Sequence, residues 1–225
     1  TMPDLPHENA NIPSRITGET GLVRRSSFLA RRTRELAQRV RELSVSDNIE
    51  VVFPDKELEA EVRDTLEKLE GPLTREDLKK LDYLRSHVYE KSVEIENLSG
   101  LEHAICLADL TLWNAQISDI SPLSSLTNLT ELYLSDNQIT GISPLASLTN
   151  LKRLKISSNQ ITDISPLASL TNLTEIYISD NQITDISPLA TLTNLTNLYL
   201  HNNQITDISS LAFLTKLVIL WLNDN

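Results

Sequence analysis

One cysteine, Cys106, is all the chain possesses, so no internal disulfide can form and the fold must be held by burial alone. Glycine is scarce as well. Five in 225 residues leave little room for a phosphate cradle, and no P-loop signature occurs. Long apolar runs are missing: no stretch approaches the ~18–20 residues of a membrane span, and residues 1–21 lack the continuous apolar core of a secretory signal. A native start at Met2 would make the protein cytoplasmic, whereas removal of a signal ahead of it would make it secreted or cell-surface. Positive charge is in deficit, with 20 Lys and Arg against 31 Asp and Glu for a net −11, which argues against general binding to a nucleic-acid backbone. The four histidines, His7, His87, His103 and His201, are scattered. None has a metal-like spacing with cysteine or carboxylates. No catalytic constellation emerges and no cofactor is expected. Cys106 as a nucleophile competes with Cys106 as a buried packing residue in an apolar-flanked return arm, and the packing role is the expectation.

What the chain does have is a repeat of 22 residues. Asn137, Asn159, Asn181, Asn203 and Asn225 fall at that interval, as do Ile117, Ile139, Ile161, Ile183 and Ile205. The unit reads L-x-x-L-x-L-x-x-N-Q-I-T-D-I-S-P-L-A-x-L-T-N. Its L-x-L core alternates with period two, so each unit opens on a short strand. One strand per unit, always in the same direction, makes a parallel sheet with neighbours roughly 4.8 Å apart. Ile139, Ile142, Leu145 and Leu148 turn the other wall of the same coil inward. A lone coil cannot bury these residues, but stacked coils share one core.

The Ser-Pro-Leu step (Ser121-Pro122, Ser143-Pro144, Ser165-Pro166, Ser187-Pro188) reads as a helix start with serine as N-cap. Only a turn or so fits before the next strand, so the return arm is expected to be 3-10. The asparagine column stands where each strand ends, where an inward amide can donate and accept for neighbouring coils. Its expected role is structural, with Ala115 at the matching place in the first clear coil.

These residues resemble the 22-residue leucine-rich repeat of bacterial internalin-like proteins, strongly over 107–225 and weakly over 85–106 through Ile95, Leu98 and Leu101. The resemblance implies an α/β leucine-rich-repeat solenoid with its parallel sheet on the concave face and 3-10 turns on the convex face. It also implies a helical N-terminal cap, for which residues 51–84 are suited. Asp55 can cap a helix carrying Leu58, Val62, Leu66 and Leu69 and stopped by Gly71-Pro72. Thr74 can cap a second helix with Asp77 as capping-box partner, Leu78 and Leu81 facing inward. The repeat array is assigned to 85–225. Its last repeat is cut at Asn225, so a longer parent protein is expected, or else self-association through the uncapped C-terminal end.

Ahead of the cap, residues 1–21 read as flexible. Residues 22–50 are assigned as a basic amphipathic helix. Within 22–45, seven arginines against two glutamates give +5, leaving −16 elsewhere, and Leu29, Thr33, Leu36, Val40 and Leu43 form its stripe. It is read as a helix docked on the acidic remainder or as a handle for an acidic partner or membrane surface.

Asp119, Asp163, Asp185 and Asp207 recur at one turn, interrupted by Gly141. Calcium could relieve their repulsion, but a hydrogen bond from each to its local turn is preferred, and no metal is expected. The N-L-T triplets at Asn128, Asn172 and Asn194 are by-products of the repeat, not glycan sites.

The outward strand positions vary while the core does not. One column reads Thr111, Tyr133, Lys155, Tyr177, Tyr199, Trp221. The next reads Trp113, Ser135, Ser157, Ser179, His201, Asn223. A third reads Glu131, Arg153, Glu175, Asn197, Ile219. Tyr, Trp and Arg dominate many interfaces because they bury much area at modest entropic cost, although tyrosines can also stack along a sheet merely to stabilise it. The expectation is a non-enzymatic protein-recognition module. Tyr177, Tyr199 and Trp221 would be its anchors, Glu131, Arg153, Lys155 and Glu175 would orient the partner, and Trp113, Tyr133, Asn197, His201 and Ile219 would complete the face. The resemblance points the same way, since internalin-like repeats generally meet protein partners on this face. The alternatives are a regulatory scaffold of a larger enzyme such as a bacterial leucine-rich-repeat GTPase, or a sugar-binding aromatic face.

Overall fold

The computed structural model describes residues 31–38, 47–86 and 94–225, and the chain divides into two units, 1–46 and 47–225. In the first unit residues 31–38 are helical (α1), with Arg31 Nε 2.9 Å from Glu35 Oε1 one turn on. Leu36 is exposed. Leu29, Val40 and Leu43 of the expected stripe, and the flexible segment expected over 1–21, lie outside the described residues.

The second unit starts with two short helices. Asp55 caps α2 (Lys56–Thr65), its Oδ1 accepting from the Leu58 N–H at 3.0 Å. Leu58 and Val62 are buried. The helix ends sooner than the expected Gly71-Pro72 stop: Glu67 turns left-handed (φ 52°), and Leu69 is 75% exposed instead of facing the core. Arg63 ties the returning segment down by donating to the carbonyls of Lys68 (3.2 Å) and Gly71 (3.0 Å). Thr74 caps α3 (Arg75–Leu78) in a reciprocal box with Asp77, and Leu78 and Leu81 are buried.

Asp55 does a second job. Its Oδ2 accepts from the N–H groups of Glu96 (2.8 Å) and Asn97 (3.1 Å), linking the helix start to the first coil. The same seam explains Gly100, which sits at φ +105° with Phe53 packed against it; an added Cβ would lie 2.7 Å from Phe53 Cδ1.

Seven parallel strands follow in sequential order: β1 (Tyr83–Arg85), β2 (Asp109–Thr111), β3 (Glu131–Tyr133), β4 (Arg153–Lys155), β5 (Glu175–Tyr177), β6 (Asn197–Tyr199) and β7 (Ile219–Trp221). β1 straddles the boundary expected between cap and array. Its partner for Tyr83 is Asp109, off the 22-residue spacing, which is why the repeat pattern alone does not reveal it. The central residues Leu84, Leu110, Leu132, Leu154, Ile176 and Leu198 are fully buried, at roughly 1.5–3 kcal/mol of hydrophobic stabilisation each. Behind the sheet run 3-10 turns, such as Ser143–Ser147 and Ser165–Ser169, that bring Leu145, Leu148, Leu167 and Leu170 into the same core.

The serines are not the caps of these turns. Each is the first turn residue, the isoleucine before it offers no side-chain cap, and, except at Ser143 where Gly141 intervenes, the aspartate two residues back accepts instead. Asp163 Oδ1 takes the Ser165 N–H at 2.8 Å and its Oδ2 takes the hydroxyl at 3.0 Å, with Asp119 and Asp185 repeating the bracket. The Asp163 and Asp207 carboxyls are held below the usual range by these backbone and hydroxyl donors. Among the described residues no group of three or more His, Cys, Asp or Glu is placed to hold a metal.

The asparagine column lies inside. Asn159 Oδ1 accepts from the Ile139 N–H (2.9 Å) while Nδ2 meets the carbonyls of Leu134, Ile156 and Ser157, all at 3.1 Å. Asn137, Asn181 and Asn203 repeat the pattern, and Asn225 does so at the exposed end. The amide is aimed inward by the residue before it. Asp136, Ser158, Asp180, Asn202 and Asp224 all adopt φ between 52° and 59°, a left-handed turn that short polar side chains tolerate better than others.

Cys106 is exposed, contrary to the packing role expected of it. Leu101, Ala104 and Leu107 fill the inward slots of its coil. Cys106 falls in the column that continues as Asn128, Asn150 and Asn172, where the side chain stays at the surface. Those asparagines form an outer ladder that the sequence reading missed. Each Nδ2 donates to a carbonyl of the preceding coil at 2.8 Å, and Asn194 does so at 2.9 Å. Three of them carry the N-L-T triplets, which accounts for the motif in structural terms.

Candidate functional site

Three-residue strands whose middle residue is buried leave the first and third facing away from the core. Parallel register then aligns them between coils: Glu131 opposite Arg153 opposite Glu175, and Tyr133 opposite Lys155 opposite Tyr177, Tyr199 and Trp221. The predicted outward columns therefore form one surface.

The third-residue column is a continuous stack. Lys155 Nζ lies 4.7 Å from the centroids of both the Tyr133 and Tyr177 rings. Tyr177 and Tyr199 are stacked at 4.2 Å with planes 10° apart, and Tyr199 meets Trp221 at 5.6 Å, tilted. Trp221 is 54% exposed. Burial, with the Tyr199 hydroxyl second, pushes the Tyr177 phenol upward.

The first-residue column is electrostatic. Arg153 Nη2 sits 3.0 Å from Glu131 Oε1, and the Tyr133 hydroxyl donates to Glu131 Oε2 at 2.8 Å. Burial, reinforced by that carboxylate, pushes the Tyr133 phenol up to about 12. Glu131 also holds the Arg153 guanidinium in its charged form. Asn197 and Ile219 continue this column toward the aromatic end.

The remaining predicted residues take different places. Trp113 lines a hollow of about 490 Å³ together with Arg85, Thr111, Glu131, Tyr133, Ser135, Asp136 and Lys155. His201 is tilted against Trp221 at 5.9 Å, and its Nδ1 is 2.8 Å from Ser179 Oγ. That contact corrects one outward position, because Ser179 is only 2% exposed.

Arg85 and Asp109 were not picked out from the sequence. They form an ion pair, Arg85 Nε lying 3.1 Å from Asp109 Oδ2, and extend the charged part of the face to β1. Arg85 is hidden because β1 lies off the repeat register, whereas Asp109 stands in register with Glu131 and continues its column.

Leucine-rich repeats, as a two-copy unit, match residues 107–147, 149–191 and 193–225. Comparison with curated proteins finds no match. Among solved structures, internalin C2 of Listeria monocytogenes is 33% identical over 76% of this chain and 94% of its own, with a TM-score of 0.42. An internalin (InlF) of the same organism is 29% identical over 79% of each chain, TM-score 0.45. A leucine-rich-repeat protein of Leptospira interrogans is 28% identical over 65% of this chain and 38% of its own, TM-score 0.56. The chain belongs to the leucine-rich-repeat family and is internalin-like. This class of fold is consistent with protein–protein interaction. Among the described residues no helix is long and apolar enough to cross a membrane.

Proposed function

We propose that the chain is a non-enzymatic recognition module that binds a protein partner across the outer face of its sheet. The observation that carries this reading is the run Tyr177–Tyr199–Trp221, the tyrosines stacked face to face and the tryptophan tilted against them and exposed. Side chains already locked against one another lose little further entropy on binding, while Trp221 has a large apolar area left to cover and the half-buried tyrosines add to it. Glu131, Arg153 and Glu175 supply direction beside it, favouring one register of the partner over others. Trp113, Tyr133 and Lys155 hold the cap-side half of the face, and Asn197, His201, Ile219 and Trp221 the far half.

The test is a comparison of partner capture and affinity for the wild type and a Tyr177→Ala/Tyr199→Ala variant, with folding checked by circular dichroism. The expected loss is at least about tenfold in affinity, as for paired interface anchors. A folded double variant that captures the same partner at full affinity removes the reading.

A further inference from the structure

The third-residue column could be aromatic from Tyr133 to Trp221, but at its centre stands Lys155. Packing does not call for a cation there, because Tyr177 and Tyr199 show that two rings in adjacent registers of this column stack at 4.2 Å. The neighbouring cations are neutralised: Arg85 by Asp109 and Arg153 by Glu131. Among the described residues no carboxylate lies within ion-pair distance of Lys155, whose contacts are the two ring faces. Two rings occupy at most two of an ammonium's three N–H directions. They supply a quadrupole but no counter-charge. Lys155 also borders the hollow shared with Trp113 and Tyr133, which is large enough for a side chain.

We infer that Lys155 is the subsite that takes an aspartate or glutamate side chain of the protein partner, the carboxylate entering the hollow beside Trp113. This rests on the recognition reading above. A carboxylate there would satisfy the open N–H of a half-buried cation already stripped of part of its water. Such a contact is worth more than a rim ion pair of the same length. The overall charge of −11 opposes acidic partners at long range, so the subsite selects a single placed carboxylate and not an acidic tract.

The experiment selects binders from a displayed random peptide library on the intact chain, then measures them against three variants. Binders are expected to share one Asp or Glu near an apolar residue and to need Tyr177 and Tyr199. Lys155→Met is expected to weaken them by about tenfold or more and to flatten their salt dependence, whereas Lys155→Arg keeps affinity within a few-fold because guanidinium also sits on rings and pairs with carboxylates. Binders that need the tyrosines yet lack a shared acidic residue, or that ignore Lys155→Met, overturn the subsite alone. A library giving no tyrosine-dependent binder overturns the recognition reading and the subsite with it.

Discussion

At Asn159 one primary amide serves four backbone groups: an N–H and a carbonyl in the preceding coil and two carbonyls in its own. Replacing it with alanine strands the buried Ile139 N–H, while the Leu134 and Ile156 carbonyls each keep a second amide donor, from Asn137 and Asn181. The expected cost is on the order of 1–3 kcal/mol. Asn225 makes equivalent bonds at an exposed position, so water can replace them and Asn225→Ala is expected to cost less than about 1 kcal/mol. Urea unfolding of the two variants measures the difference, and equal losses would mean the inner amides are not the source of the stabilisation. The column was legible in the sequence because asparagine in a leucine-lined coil has few other uses. The left-handed residues before it were less so. Asp, Ser, Asp, Asn and Asp look like ordinary surface polarity until φ is known, and Ser158 blurs even the Asx pattern. Cys106 misled for a related reason: apolar neighbours in sequence, Ile105 and Leu107, face opposite ways in a turn.

Elements with their own start signals were readable one by one. Asp55 and Thr74 cap as the sequence suggests, and the 3-10 arms follow from the length left between Pro and the next strand. What periodicity could not supply was the end of α2, which depends on Arg63 reaching two distant carbonyls, and the place of β1, which depends on pairing. The α3 cap carries a pH dependence. Burial works against the Asp77 charge, but hydrogen bonds from Lys68 (2.6 Å) and from the Thr74 hydroxyl (2.7 Å) and N–H (3.0 Å) outweigh it, holding the carboxyl well below the usual range. A carboxyl whose pKa is lower folded than unfolded stabilises fully above the ordinary value of 3.8 and loses that contribution as pH falls toward the folded value. Asp163 and Asp207 act in the same direction. Thermal midpoints are therefore expected to fall below about pH 4. Asp77→Asn should lower the midpoint at neutral pH and make the acid decline shallower. An unchanged acid slope in that variant would remove Asp77 from the account.

Across the whole array, each coil is stabilised by its two neighbours and by nothing further away, so stability should follow position along the stack. Coils around β3 to β5 have every inward aliphatic side chain at 0–1% exposure. Toward the last coil this closure loosens: Ile205 is 6% exposed, Leu220 is 41%, and Ile208 is 54%. The first coil is different, because Phe53, Leu58, Leu78 and Leu81 cover its open side and Asp55 bonds to its backbone. In the 225-residue chain, hydrogen exchange is thus expected to be fastest in residues 217–225. It should slow through β6 to a plateau across β3 to β5, and stay slow as far as β1. The same gradient runs through the recognition face. Trp221 and Ile219 stand on the coil that opens most readily, whereas Tyr133, Lys155 and Tyr177 stand on the part that does not. A ligand spanning the face should therefore protect β7 most, in proportion to the order it adds there, while leaving the plateau unchanged. Uniform exchange along the array without ligand would mean that the coils unfold as one unit and that the helical cap confers no directional advantage.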